Sequence, residues 1–182
     1  MNIVKTFIKD LIIIRPQEFC DNRGSFFEAY NEAEFYNAGI NCHFVQDNQS
    51  RSIKNVLRGM HIQKNYPQAK LIRVVKGTIW DVSVDMRRNS STFGRWFGIE
   101  LSAKNKKQIL IPENFAHGFY TLSDNVEVLF KVTTSYHPGD EIGFIWNDKD
   151  IGIKWPIPQG ISPILAEKDT QWKEFKETFL KK

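Results

Sequence analysis

The feature that most restricts this chain is its punctuation. Short strand-like runs are broken by turn clusters at a spacing of roughly 8–12 residues, with almost nothing helical between them. Trp80, Val82, Val84 and Met86 alternate with Asp81, Ser83, Asp85 and Arg87, a period of two that marks a half-buried strand. Leu71–Val75, followed by Lys76-Gly77, reads as a strand and turn leading into it, so the two are expected to form a hairpin. Phe97–Leu101, Gln108–Ile111, Gly118–Leu122, Val126–Val132 and Ile142–Trp146 continue the pattern, separated by turns such as Ser123-Asp124-Asn125 and His137-Pro138-Gly139-Asp140. Many short strands without intervening helices imply an all-β antiparallel sandwich or barrel.

Helix signals are confined to two places. Asn31 to Ala38 carries an Asn cap, Glu34 three residues on, and Gly39 as a stop. At the far end, Trp172, Phe175 and Phe179 follow Asp169-Thr170 as an i, i+3, i+7 stripe, which predicts a terminal helix packed on the sheet. No repeat, linker or low-complexity stretch divides the chain, so residues 1–182 are expected to form one domain. Fourteen Phe and five Trp point to an aromatic interior.

Charge and targeting signals narrow the class of function. Net charge is +4, and Lys176, Lys181 and Lys182 at the tail supply part of it, so no basic stripe points to nucleic acid. A small anionic ligand suits that balance better. No apolar run approaches the roughly 18 residues that span a bilayer, and the N-terminus lacks a signal peptide's apolar region. Cys20 and Cys42 then read as free thiols, and the expected compartment is the cytoplasm.

Phosphate loops, Cys-x-x-Cys pairs and Gly-x-Ser-x-Gly elbows are absent. What stands out is polar residues set in apolar strands. Leu57-Arg58-Gly59-Met60-His61-Ile62-Gln63 places a cation, an imidazole and an amide in one run, and Ile111–Phe119 places His117 in another. A single histidine in such a place is more often a packed core residue. Two of them, with Arg58 and Lys70 nearby, argue for a site. Side chains alternate along a strand, so Arg58 and His61 share a wall only if the strand bulges, and Gly59 permits that. Cupin metal sites use His-x-His with a nearby Glu; here the run reads His61-Ile62-Gln63, which argues against a catalytic metal and against a metal-dependent isomerase or oxygenase.

Phe44-Val45-Gln46-Asp47-Asn48, Val56–His61, Lys70–Val74, Asp81–Asp85, Ile111–Phe119, Ile145–Asp148 and Glu167-Lys168-Asp169 together resemble, in order, the dTDP-4-dehydrorhamnose 3,5-epimerase family. The resemblance implies a cupin-type jelly-roll, no metal or other cofactor, and a homodimer that exchanges N-terminal strands. It further implies a substrate that is a nucleoside-diphosphate 4-keto sugar, inverted at C3 and C5 or at C3 alone, in surface-polysaccharide or deoxysugar (including heptose) biosynthesis. Carried over by residue, His61 would be the base, Asp169 would hold its far ring nitrogen, and Lys70 would neutralise the enolate at O4. Arg23, Glu28, Gln46, Asp47, Asn48, Arg58, His117, Glu141 and Lys168 would contact substrate, with Arg23 and Glu28 reaching into the partner's pocket. Nothing in the sequence separates dTDP from GDP or CDP.

One departure matters. The family's proton donor is a tyrosine in a Tyr-Lys pair, and here the run is Leu129-Phe130-Lys131. Tyr136, six residues further along a strand, would lie roughly 20 Å away unless the chain turns sharply. Tyr120 and an ordered water remain as stand-ins. The expectation is inversion at C3, with C5 in doubt. The alternatives are a full 3,5-epimerase with another donor and a non-catalytic nucleotide-sugar-binding cupin.

Overall fold

Alternating apolar residues are buried by stacking one sheet on another, and two antiparallel sheets do this here. The computed structural model describes residues 1–180, so Lys181 and Lys182 of the basic tail lie outside it. The six-stranded sheet runs β1 (Asn2–Lys5), β2 (Ile12–Arg15), β10 (Gln108–Ile111), β7 (Lys70–Lys76), β12 (Val126–Val132), β5 (Gln46–Ser52). The five-stranded sheet runs β13 (Glu141–Gly143), β6 (Leu57–Gln63), β11 (Phe115–Thr121), β8 (Thr78–Asp85), β9 (Trp96–Ser102). Ile72, Val74, Ile109, Val126 and Val128 of the first interdigitate with Ile79, Ile99, Leu101, Phe115 and Phe119 of the second, forming the core of a jelly-roll. This is the all-β sandwich expected from the strand pattern and the cupin-type jelly-roll that the family resemblance implies.

The expected hairpin across Gly77 does not form. β7 pairs with β10 and β12, whereas β8 pairs with β11 and β9, so Gly77 carries the chain from one sheet to the other. Its φ of +78° and the Ser123 Oγ 2.6 Å from where a Cβ would stand make glycine the residue for this crossing. Periodicity identifies strands but not which sheet receives them.

The polar side of β8 is also not a solvent face. Asp81, Ser83 and Asp85 are all 0% exposed and point between the sheets. Trp80, Val82 and Val84 point the other way and are covered by Phe144, Ile151, Phe175 and Phe179 from the C-terminal segment. Buried carboxylates need partners. Asp85 has them: Arg87 Nε at 2.9 Å, Thr92 Oγ1 at 2.6 Å and Ser90 Oγ at 2.7 Å all donate to it. Burial opposes its charge, but these bonds outweigh burial and pull its pKa down to about 2.

α1 (Glu32–Asn37) forms as the Asn cap predicts, with the Asn31 side chain accepting from the Glu34 N–H. Its Phe35 packs with Ile14, Leu71 and Leu110 on the outer face of the six-stranded sheet. The C-terminal aromatic stripe is not one helix. A short α2 (Glu167–Thr170) and a π-helical turn (Lys176–Leu180) flank residues whose backbone is committed elsewhere. Ile145 N–H donates to Lys173 O, and Phe175 N–H donates to Asp148 Oδ2. Those bonds to the neighbouring loop replace the helical ladder. The strand expected at Ile142–Trp146 likewise shortens to Glu141–Gly143.

β3 (Glu18–Asp21) and β4 (Gly24–Phe27) form a separate two-stranded ribbon. Its paired Phe19 and Phe26 are 55% and 67% exposed. Both cysteines are free thiols, and among the described residues no helix is long and apolar enough to cross a membrane.

Asp85→Ala removes the acceptor shared by Arg87, Ser90 and Thr92 and leaves Arg87 with Asp10 as its remaining carboxylate. Loss of these charge-assisted bonds is expected to cost about 1.5–3 kcal/mol, read as a lower urea midpoint. The pKa of Asp85 is depressed on folding, so its contribution is present above the ordinary carboxylate range and drains away as pH falls toward 2. In the Asp85→Ala protein that part of the acid dependence is expected to disappear.

Candidate active site

Between the sheets, the aliphatic packing gives way to a cavity of about 300 Å³ walled by polar side chains. The five-stranded sheet supplies Arg58, His61 and His117, and the six-stranded sheet supplies Gln46, Asn48, Lys70 and Phe130. Glu141 and Lys168 close one side.

Arg58 and His61 reach the same wall because β6 carries one extra residue against β11. His117 is paired with His61, but Phe119 is paired with Arg58, so three steps on β6 oppose two on β11. Gly59 lies in this bulge at φ +107°, and a Cβ there would stand 2.5 Å from His117 O and 2.7 Å from Gly118 Cα. The bulge expected from parity is therefore present, and only glycine fits it.

Alternation is intact on β5, and it corrects one assignment. Gln46, Asn48 and Ser50 face the cavity, whereas Asp47 projects from the outer face and holds Lys131 Nζ at 2.8 Å. Asp47 lies instead with Leu129 and Lys131 on the other face of the sheet, so it is not a wall residue of this cavity. Ser50 takes the next place in the row, with its Oγ buried and without a hydrogen-bond partner. The same parity rule would have found it.

Charge in the cavity is arranged around a neutral imidazole. Burial, reinforced by the Lys70, Lys168 and His117 charges, holds His61 well below the ordinary histidine pKa. Burial also brings the Lys70 ammonium down to about 8, against the pull of Glu141 and Asp81. Lys168 Nζ donates to Glu141 Oε2 at 2.6 Å, and Glu141 Oε1 lies 3.6 Å from His61 Nδ1. His117 Nε2 lies 2.8 Å from Asp81 Oδ2, a pair in which Asp81 is wholly buried. Alternation in β8 marks a half-buried strand without showing what its polar face meets, so Asp81 is not singled out by the sequence pattern.

Asp169 does not hold His61 as expected. Its Oδ2 accepts from the Gly59 N–H at 3.3 Å and its Oδ1 from Trp172 Nε1 at 3.2 Å. Glu141 is the carboxylate beside the His61 ring. Asp169 thus braces the bulge from behind; burial pushes its pKa up. Gln63 is turned away from both histidines, donating to Tyr66 O at 2.7 Å and accepting from the His137 N–H at 2.7 Å. Among the described residues, no group of three or more His, Cys, Asp or Glu is arranged to hold a metal ion.

Phe130 lines the cavity and leans on the core behind it, with no group that can donate a proton. Tyr136, expected to be out of reach, lines the same cavity. The chain turns after Val132, and the Tyr136 N–H is tied to Gln46 Oε1 at 3.0 Å. Tyr120 is elsewhere, buried with its hydroxyl donated to Asn55 Oδ1 at 2.7 Å. Arg23 and Glu28 do not line this cavity. Arg23 sits at the exposed tip of the β3–β4 ribbon bound to Asp21, and Glu28 accepts from Asn31 Nδ2 at 3.2 Å.

Residues 5–177 match the family model described as dTDP-4-dehydrorhamnose 3,5-epimerase. The chain belongs to that family. A family member from Methanothermobacter thermautotrophicus is 48% identical over 96% of this chain and 94% of its own. The dTDP-4-dehydrorhamnose 3,5-epimerase structure from Elizabethkingia anophelis superposes with a TM-score of 0.92 at 47% identity, covering 98% of each chain. A dTDP-6-deoxy-D-glucose-3,5-epimerase from Legionella pneumophila, in complex with dTDP-4-keto-L-rhamnose, gives 0.90 at 43% identity over 95% of this chain and 92% of that one. As a member of the 3,5-epimerase family, this protein is an isomerase of the epimerase class, with a nucleotide sugar as the general type of substrate.

Gly59→Ala is expected to cost the protein both stability and ligand binding, because relieving a 2.5 Å contact with backbone must move β6 or β11. Calorimetric unfolding and titration with a nucleotide sugar read the two effects; unchanged affinity would contradict the role given to the bulge.

Proposed function

We propose that the protein inverts C3 of a nucleoside-diphosphate 4-keto-6-deoxy sugar, with dTDP as the carrier, leaving C5 untouched. The observation that carries this reading is a neutral imidazole, His61, and an ammonium, Lys70, on opposite walls of one cavity, with Phe130 where the family places its tyrosine. The carrier nucleotide is inferred from the dTDP names of the relatives.

Hydrogen on a carbon beside a ketone is acidic only when the enolate is stabilised. An imidazole kept unprotonated is free to remove it at neutral pH. Charge then develops on O4, where the Lys70 ammonium and the His117 ring, backed by Asp81, can receive it. Electrostatic help of this kind is typically worth about 3–4 kcal/mol, or 10²–10³ in rate. The Arg58 guanidinium, fixed by Ser52 Oγ at 3.1 Å and Arg51 O at 3.2 Å, is suited to a phosphate oxygen. Inverting two carbons asks for proton delivery at two positions; with Phe130 in the donor's place, the economical reading is one.

The reading extends to assembly. An isolated two-stranded ribbon bearing exposed Phe19 and Phe26 is marginal in water. Exchange of N-terminal segments in a homodimer would cover it and carry Arg23 and Glu28 to the neighbouring cavity. We place the whole chain, acting as one domain, in cytoplasmic deoxysugar synthesis for surface polysaccharide.

In D₂O, dTDP-4-keto-6-deoxyglucose is expected to take up one deuteron at C3 and yield C3-inverted product. Stoichiometric label at both carbons with inversion at both would sink the C3-only reading, and no label at all would favour a binding protein. His61→Ala is expected to slow this exchange by about 10²–10⁴-fold. The base works deprotonated and its pKa is lowered, so exchange is expected to persist below pH 6.5 before falling on the acid side. Light scattering is expected to give twice the chain mass, and Phe19→Asp with Phe26→Asp to reduce it.

A further inference from the structure

Inversion at C3 needs a proton delivered to the face opposite the base, and Phe130 cannot deliver one. We propose that Lys70 is that donor, giving its ammonium proton to the carbon that His61 has deprotonated. The inference rests on the epimerase reading above and goes beyond it by giving the lysine a second task.

The geometry limits the candidates. His61 lies on β6 of the five-stranded sheet, so the opposite wall is the six-stranded sheet, whose cavity-facing side chains are Gln46, Asn48, Ser50, Lys70, Ile72, Val128 and Phe130. Among these, Lys70 alone holds a proton that can be given up near neutral pH. It is also the neighbour of the vacant role. Phe130 is paired with Ile72 and Val132 with Lys70, so the Lys70 and Phe130 side chains stand diagonally on the same face. Tyr136 belongs to the mouth of the cavity, half exposed and beside the Lys168 ammonium.

The groups facing Lys70 come from every neighbouring element: His61 on β6, Asp81 on β8, His117 on β11, Glu141 on β13 and Lys168 on α2. With burial as the largest influence they leave it an acid of pKa about 8, better matched to donation at neutral pH than an ordinary lysine. In the step itself, the enolate's electron pair forms the new C–H bond, the Nζ–H bond breaks, and the C4 carbonyl re-forms. Lys70 becomes a neutral amine as the enolate charge it faced disappears. His61 keeps the abstracted proton as imidazolium, and exchange through solvent returns both groups to their starting states.

Lys70→Arg separates the two tasks, since a guanidinium keeps the positive charge for O4 but does not release a proton. Measured in D₂O with dTDP-4-keto-6-deoxyglucose, the variant is expected to keep C3 hydrogen exchange within about tenfold while inversion falls about 10²–10⁴-fold. Adding Phe130→Tyr to it is expected to restore inversion at least tenfold. Equal loss of exchange and inversion, or retention of both, overturns the assignment, as does selective loss of inversion in Tyr136→Phe instead. Should Lys70→Arg not fold, Phe130→Tyr alone decides. The donor works protonated, so inversion in the unmodified protein falls as pH rises through about 8. A second acid of higher pKa is expected to move that limb upward, and an unmoved limb overturns the proposal. No C–H exchange by the unmodified protein would defeat the epimerase reading itself, a result distinct from exchange that is indifferent to Lys70.

Discussion

The site depends on a backbone contact. Gly59 and Gly118 let β6 and β11 approach so closely that a methyl group on either would meet the other strand's main chain at 2.5–2.6 Å. The extra residue this allows in β6 is what turns Arg58 and His61 to the same wall. Asp169 supports the arrangement from behind by accepting the Gly59 N–H. Without the bulge, alternation would send one of the two functional side chains into the outer core of Met60, Ile62 and Phe144.

Placing charges between two sheets is costly, and the structure offsets that cost by pairing most of them. Glu141 takes Lys168, Asp81 takes His117, and Asp85 takes Arg87. What remains unpaired is informative: Lys70 has neighbours of both signs but no hydrogen-bonded carboxylate among the described contacts, and Ser50 Oγ has no partner. A cavity that keeps an acidic ammonium opposite a neutral imidazole is set up to move a proton across a bound molecule. Phe130 stands among these groups with no proton to give, which is why the proposed transfer falls to Lys70.

Much of the fold was legible in the sequence because it rests on local rules. The strands from Phe97 to Val132, the Asn31 cap and the need for a bulge at Gly59 follow from period, capping and parity. The hairpin across Gly77 failed because a turn residue does not specify which sheet the next strand joins. The C-terminal helix failed because Lys173 and Phe175 bond to the Ile145–Asp148 loop, a partner more than 25 residues away in sequence. Asp47 and Tyr136 were misplaced for opposite reasons: one by reading a motif without strand parity, the other by extending a strand that ends at Val132.

By itself the sequence determined most of the strands from Leu57 onward and the histidines and lysine set among apolar strand residues, since these are properties of residue type and near-neighbour spacing; that a tyrosine is expected where Phe130 stands came from the family resemblance. Only the tertiary structure decided that Asp81 faces inward onto His117, that Glu141 rather than Asp169 sits beside the His61 ring, and that Lys70 confronts His61 from the opposite sheet. Those relations join residues on different strands, and alternation along one strand says nothing about what another strand brings to the same space.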